Sequence, residues 1–474
     1  MHKNIKNLMK SLKQLYLTDI IDEIAFKTKF LKRKTKITPE LFLSLCVFGG
    51  EDLCISSLVQ LKSRIENMKD IRISPQALDQ RFNKTAVDFL RTVFYEMLKI
   101  QNKVLIDKES LLKNHFKAIK VVDSTSVVLP ESFKNTYKGC GGSGSASAAA
   151  IKIQLQLDVL TGGFINFDIS RGASNDADYL PTLEKSIEAN ELYLKDLGYL
   201  NLDHFRKIEE LKAYYISKMK STISIFRENE NPEMTAKGMI KESTRYIKID
   251  IQEIVEPLAE GETIELLDIY IGKNKLKTNM ILTKLPQESK KNREKKFYNE
   301  IRKGKKKATD KNMFWNSINV YITNIPTSIL EKEQIHDIYS LRWQVELMFK
   351  IWKSLFKINK VKKVKLERFQ CFLYGRLISL LLTSSIVCTG KKIILEKTKK
   401  EISPIKSFSI VKESFNKIRE IIFKGEIVLI RFLSKIIASI MKYAIKSKKK
   451  GRKTTLEIIE SIKISEFDLE SLVI

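Results

Sequence analysis

A short apolar run, Ala118-Ile119-Lys120-Val121-Val122, leads directly into Asp123. Ile119, Val121 and Val122 are β-branched and sit in a short apolar run, which predicts a buried strand. The run ends at Asp123-Ser124-Thr125-Ser126. A strand holds a carboxylate at its end rigidly, so Asp123 suits a metal ligand. The plain alternative is an Asp that starts a turn. Downstream, Ile151, Ile153, Leu155 and Leu157 alternate, and residues 163–169 are apolar again. Thr161-Gly162-Gly163 lies between them, which predicts a β-hairpin. A helix is expected over 177–189. Leu192-Tyr193-Leu194-Lys195 then predicts another strand, ending in Asp196-Leu197-Gly198-Tyr199. Again a carboxylate sits at a strand end. A helix from Leu202 and a strand over 213–218 complete this part.

The order is three strands, helix, strand, helix, strand, as in an RNase H-like core. In that α/β fold the first and fourth strands lie side by side, which would bring the ends carrying Asp123 and Asp196 together. Around this core the sequence predicts other segments. Residues 1–115 look helical: Thr38-Pro39-Glu40 opens one helix, Gly49-Gly50 stops it, a second is expected over 53–65 and a third over 75–83. Helix, connection, helix in a basic chain suggests a DNA reader with Arg81 among its contact residues, although any small helical bundle looks similar. The run from Lys27 to Lys36 suits either phosphate tracking or a solvated loop. Residues 116–221 form the first part of the core. Residues 222–327 read as a β-rich insertion, with strands over 246–254, 263–271, 277–282 and 318–322. Residues 328–372 return to the core, and 373–474 form a helical C-terminal region.

The chain has 474 residues, enough for two to four domains with at least one large core. Its 43% hydrophobic content excludes global disorder. Lys and Arg number 85 against 56 Asp and Glu, a net charge of +29, so the expected partner is a polyanion. Nucleic acid leads, ahead of an acidic membrane surface. The 5 cysteines are odd in number and lack CxxC spacing, so neither a disulfide framework nor a zinc site is expected. The 4 histidines are scattered. The basic N-terminus lacks a following apolar run, so no signal peptide is expected, and a cytoplasmic location fits. The apolar segment Leu377 to Cys388 reads as too short to span a bilayer. The loop Gly139-Cys140-Gly141-Gly142-Ser143-Gly144-Ser145-Ala146 lacks the Gly-Lys-Ser/Thr ending of a nucleoside triphosphate loop. Lysines and arginines crowd residues 290–307 and again 446–453. Each run is either solvated or in contact with a phosphate backbone.

The last element is Tyr339-Ser340-Leu341-Arg342-Trp343-Gln344-Val345-Glu346, running on to Lys353. It predicts one helix over 332–353. At about 100° per residue, Tyr339, Arg342, Glu346 and Lys353 share one narrow polar stripe on a largely apolar helix. The plain reading is a surface ion pair between Arg342 and Glu346.

That spacing of Tyr, Arg, Glu and Lys resembles the signature of bacterial DDE transposases of the insertion-sequence-four type. Asp123-Ser124-Thr125 and Asp196-Leu197-Gly198-Tyr199 are similar to the segments carrying the family's two aspartates. The resemblance covers roughly residues 70–390. It implies Asp123, Asp196 and Glu346 as catalytic and metal-binding residues, with Tyr339, Arg342 and Lys353 on DNA. Three carboxylates suit hard cations, two Mg²⁺ ions with Mn²⁺ as a substitute. The resemblance further implies strand cleavage at terminal inverted repeats, a hairpin at the element's end and transfer to target DNA. A homodimer joined through the C-terminal helices would cut paired ends, near the nucleoid of a bacterium. The family often places a Trp just before the strand preceding the signature helix, where it stacks on a flipped base. Here that position holds Asn319, and Trp315 lies four residues earlier, so Trp315 is either the stacking residue or a core Trp. A nuclease without strand transfer and an inactive DNA-binding derivative are the competing functions.

Overall fold

The computed structural model describes residues 2–16, 18–33, 36–49, 53–69, 71–105, 115–141, 148–304, 307–422, 424–448 and 451–462. Lys34, residues 142–147 of the Gly-Ser loop, Lys305, Lys306, Lys449 and Lys450 lie outside the described residues. The chain is a mixed α/β protein of two compact units. The first comprises Met1–Leu111, Ser124–Ser174 and Gln344–Arg452; the second comprises Leu112–Asp123, Asn175–Trp343 and Lys453–Ile474.

The first unit is mainly helical. Its axis is one 33-residue helix, Leu366–Thr398, apolar on nearly every side. By length and composition this helix could cross a membrane, which corrects the expectation that the apolar segment is too short. However, 89% of its most apolar window is buried inside the protein. A helix apolar all round is what a core position demands. The helices Pro39–Phe48 and Lys84–Leu105 pack on it. The former starts as expected: Thr38 caps it by accepting from the Leu41 amide at 3.2 Å, and Gly49 ends it. The next helix runs Leu58–Lys69, later than expected. Ser57 and Gln60 form a reciprocal cap that sets its start, with the Gln60 amide donating to the Ser57 hydroxyl at 3.2 Å and the Ser57 amide to Gln60 Oε1 at 2.8 Å. The third helix is Pro75–Arg81. The hairpin also forms as expected, from β2 (Ala150–Asp158) and β3 (Phe164–Arg171). Both follow β1 (Ala118–Val128), whose last residues belong to this unit.

The second unit is built on a mixed sheet. It takes the start of β1, then β4 (Glu191–Lys195), β5 (Tyr214–Lys218), β6 (Ile225–Glu228), β7 (Tyr246–Lys248), β8 (Thr263–Ile271), β9 (Leu276–Lys284) and β10 (Ile318–Thr323). Their spatial order is β1-β4-β5-β10-β9-β8-β6-β7. β1, β4 and β5 are parallel, and β10 adds antiparallel to β5. Parallel strands buried on both faces read as continuous apolar runs, which is why β4 was legible. Tyr193, Phe205, Tyr215, Met280 and Ile322 form the centre of this unit's core.

Three expectations fail in this unit. The helix expected over 177–189 shrinks to a 3₁₀ turn and Leu180–Glu184. The chain bends away so that the Ser186 carbonyl can accept from Lys120 Nζ at 2.9 Å. The strand expected over 246–254 ends at Lys248, because Asp250 caps a short helix, Ile251–Val255, at the Gln252 amide (2.9 Å). The single helix over 332–353 is two helices, Lys332–Ser340 and Trp343–Ser354. At the break, the Leu341 and Arg342 amides bond three residues back, to Ile338 and Tyr339. Tyr339 therefore lies on the first helix and Glu346 and Lys353 on the second, with Arg342 at the break.

Candidate active site

The register of the parallel strands puts four residues in one row. β1 pairs β4 with Val121 opposite Leu194, so two residues further on Asp123 comes level with Asp196. β4 pairs β5 with Lys195 opposite Ser217, so one residue further on Asp196 comes level with Lys218. Lys218 is in turn paired with Tyr321 of β10. Neighbouring strands lie about 4.8 Å apart, so the row is compact. β4 and β5 end at this level, whereas β1 runs on to Val128, so Asp123 lies within its strand and not at the strand end that the sequence predicted.

The start of this row is held firmly. Lys120 Nζ, on β1, meets Glu191 Oε2 of β4 at 2.7 Å, and both side chains are buried. The Tyr193 hydroxyl donates to the same carboxylate. Removing one partner of such a pair would leave a buried charge uncompensated.

Arg342 and Tyr339 reach the two aspartates from the break in the helix. Arg342 Nη1 lies 3.1 Å from Asp123 Oδ2, and both side chains are largely buried, 13% and 21% exposed. The Tyr339 hydroxyl donates to the Lys195 carbonyl at 3.2 Å and approaches Asp196 Oδ1 at 3.5 Å. Burial, and next the Asp196 charge, push the Tyr339 phenol well above its ordinary value. It therefore stays protonated and acts as a donor. Asp123 and Arg342 are far apart in the chain, so this tertiary contact could not be read from local spacing.

Arg342 takes the place of a positive charge beside Asp123. Two adjacent carboxylates supply only oxygen donors, the chemistry of a hard divalent cation. The pair fits such an ion in donor type. Among the described residues, no group of three or more His, Cys, Asp or Glu side chains is gathered for a metal.

The other expected residues are placed as follows. Glu346 and Lys353 lie on Trp343–Ser354, both partly buried, and burial lowers the Lys353 pKa. Trp315 is partly buried against the core of the second unit. Asn319 is buried and accepts from Arg293. Arg81 stacks its guanidinium 5.8 Å over the Phe30 ring.

Sequence reading missed two residues. Trp343, directly after Arg342, is 63% exposed. Lys218 was seen only as the end of a strand. Its alignment with Asp196 required the register.

Comparison with known proteins gives the family. Residues 114–382 match the family described as "Transposase DDE domain". The chain belongs to the DDE transposases of insertion sequences. It is 45% identical to the transposase for insertion sequence element IS1151 of Clostridium perfringens, over 99% of each chain. It is 33% identical to that of IS231B of Bacillus thuringiensis subsp. berliner, over 93% of this chain and 92% of that one. It is 34% identical to that of IS231E of Bacillus thuringiensis subsp. finitimus, over 95% and 94%. The family expected from the Tyr339–Lys353 spacing is thus the family found, and the chain is a transposase.

Proposed function

We propose that this transposase moves an insertion sequence by cut-and-paste, cleaving DNA at terminal inverted repeats and joining the freed 3′ ends to target DNA. The observation that carries this reading is the level placement of Asp123 and Asp196 across adjacent parallel strands. In this reading β1 to β5 are an RNase H-like core, and Asp123, Asp196 and Glu346 are its three carboxylates. Glu346 enters through the family spacing. The carboxylates would hold two Mg²⁺ ions, or Mn²⁺ in their place. Such ions supply Lewis-acid activation of the attacking oxygen and stabilisation of the leaving one.

The chain's own residues do the remaining work. Asp123 and Asp196 fix the anionic floor of the site. Arg342, partnered with Asp123 in the absence of DNA, is a guanidinium ready to bind a phosphate. Tyr339 presents a protonated hydroxyl at Asp196. Lys353 adds a charge on the side of Glu346. Trp343 offers an exposed face for stacking on a base, and partly buried Trp315 is the second candidate for that role. Within the wider chain, residues 1–115 would read the DNA end, with Arg81 near that surface, and the C-terminal helices from 373 would join two copies on paired ends. Activity on chromosomal DNA would place the protein in the bacterial cytoplasm.

The basic run of the insertion supports backbone contact. Its first part folds as the helix Gln287–Arg302, anchored by buried Phe297. Lys291, Lys295, Tyr298 and Arg302 are exposed. At about 100° per residue they fall within about 60° of one another, a basic stripe facing solvent. Reversing the three charges (Lys291→Glu, Lys295→Glu, Arg302→Glu) should weaken DNA binding at low salt. It should also flatten the slope of log affinity against log salt by about 2–3, close to 0.9 per lost phosphate contact. An unchanged slope would remove this helix from the interface.

The function itself is tested with the full chain, a DNA fragment carrying the element's end, and Mg²⁺. Cutting followed by joining supports transposition. Cutting alone indicates a nuclease, and binding without cutting indicates an inactive derivative. Chelation by EDTA should abolish both steps, and added Mn²⁺ should restore them.

A further inference from the structure

We propose that Lys218 is a phosphate-binding residue of the cutting site, its ammonium receiving the DNA phosphodiester that lies over Asp196. This inference rests on the reading of Asp123 and Asp196 as that site. It deepens the reading by adding a residue outside the Tyr-Arg-Glu-Lys spacing.

The placement comes from the backbone. Lys218 is the last residue of β5, one strand from Asp196 in the same row. The pairing with Tyr321 fixes its level from the other side. Its Nζ lies 5.7 Å from the centre of the Tyr339 ring, and the Tyr339 hydroxyl reaches toward Asp196. Tyr321 and Tyr339 pack with ring centres 5.0 Å apart, so Lys218 extends along an aromatic wall toward the carboxylate.

The chemistry points to an anion. Lys218 is partly buried, and its ammonium forms no ion pair or hydrogen bond with the described residues. Its charged neighbours are Arg293 and Arg342, which repel it, and Asp196, which attracts it. Arg293 is itself fixed, donating to the Ile318 carbonyl at 2.9 Å and to Asn319 Oδ1. Lys218 thus has two arginines and one carboxylate as charged neighbours, with Arg342 also bound to Asp123. A partly desolvated ammonium without an acceptor is costly, and like charges beside it add to the cost. An incoming phosphodiester would relieve both, because it supplies negative charge and several acceptors at once. The ring of Tyr339 cannot do this alone, since a cation–π contact at a partly exposed site contributes only about 1 kcal/mol. Nucleic acid is the polyanion that the family membership provides.

The test uses the full chain with the DNA end and Mg²⁺, comparing Lys218→Met, Lys218→Arg and the wild type. Lys218→Met should cut about 10–100-fold more slowly. Its affinity for the DNA end should fall by less than about threefold, because one contact among many is lost. Lys218→Arg should recover most of the rate. Urea unfolding should show Lys218→Met at least as stable as the wild type, since an unpaired, desolvated charge has been replaced by an apolar chain of similar length. Cutting by Lys218→Met at the wild-type rate overturns the proposal. So does a Lys218→Arg no better than Lys218→Met, or a destabilised Lys218→Met, which would mark a packing role. A wild type that leaves the DNA intact overturns the cutting-site reading instead.

Discussion

Replacing Asp123, Asp196 or Glu346 by its amide should abolish strand cleavage while leaving the transposase bound to its DNA end. We expect a rate loss of at least about 10³-fold for each, equivalent to about 4 kcal/mol of barrier. The argument is one of charge, because Asp→Asn and Glu→Gln preserve size and one acceptor oxygen. Asn at 123 can still accept from Arg342, and Asn at 196 can still meet the Tyr339 hydroxyl. What disappears is the negative charge that a divalent cation needs. The three variants should differ in stability. Asp123→Asn removes the carboxylate charge that pairs with the largely buried Arg342 and should lose about 1–2 kcal/mol. Asp196→Asn should lose less, because Asp196 forms a long 3.5 Å contact with Tyr339. Single-turnover cleavage on a labelled DNA end, with binding measured in parallel, decides the matter. Cleavage retained by any one variant removes that residue from the triad. Loss of binding alongside cleavage would show that the charge serves folding or DNA contact instead.

Gly375→Ala should destabilise the first unit, by about 2–4 kcal/mol, although helix propensity alone favours Ala by about 1 kcal/mol. Gly375 lies within the helix Leu366–Thr398. A Cβ there would stand 2.4 Å from the Cys46 carbonyl oxygen and 2.8 Å from its carbon. These are backbone atoms of the helix Pro39–Phe48, so no side-chain rotation relieves the clash. One turn later, the buried Ser379 hydroxyl donates to the Val47 carbonyl at 2.6 Å. A glycine and a serine four residues apart let the two helices cross at close range, and the hydroxyl fixes the crossing. Gly375→Leu should prevent folding of this unit altogether. Thermal or urea unfolding measures the sign, and a more stable Gly375→Ala would mean that the helices can separate without loss.

The parts of this protein that were legible in sequence are those in which local chemistry and final environment agree. The runs Ala118–Val122 and Leu192–Lys195 are apolar because both faces of their strands are buried. Thr38-Pro39 and Gly49 marked a helix correctly because capping needs only neighbouring atoms. Errors arose where a short-range signal was outweighed by a distant one. The helix expected over 177–189 ends early because Lys120 requires the Ser186 carbonyl. The helix over 332–353 breaks where Arg342 turns to Asp123. The Ser57-Gln60 and Asp250 caps are local signals that sequence carries, and they set the start of Leu58–Lys69 and the end of the strand at Lys248.

Residue order alone carried the two aspartates, of which only Asp196 directly follows its strand, the spacing of Tyr339, Arg342, Glu346 and Lys353, and the excess of positive charge. Together these were enough for the family, because they are properties of residue type and order. Only the tertiary structure decided that Asp123, Asp196, Lys218 and Tyr321 stand in one row. It also decided that Arg342 serves Asp123 and that Trp343 rather than Trp315 is exposed. The physical reason is that register and helix breaks are set by hydrogen bonds between residues far apart in the chain: Asp123 and Arg342 meet across 219 positions, and Tyr339 reaches the Lys195 carbonyl across 144. No local pattern encodes such a pairing until the sheet has formed.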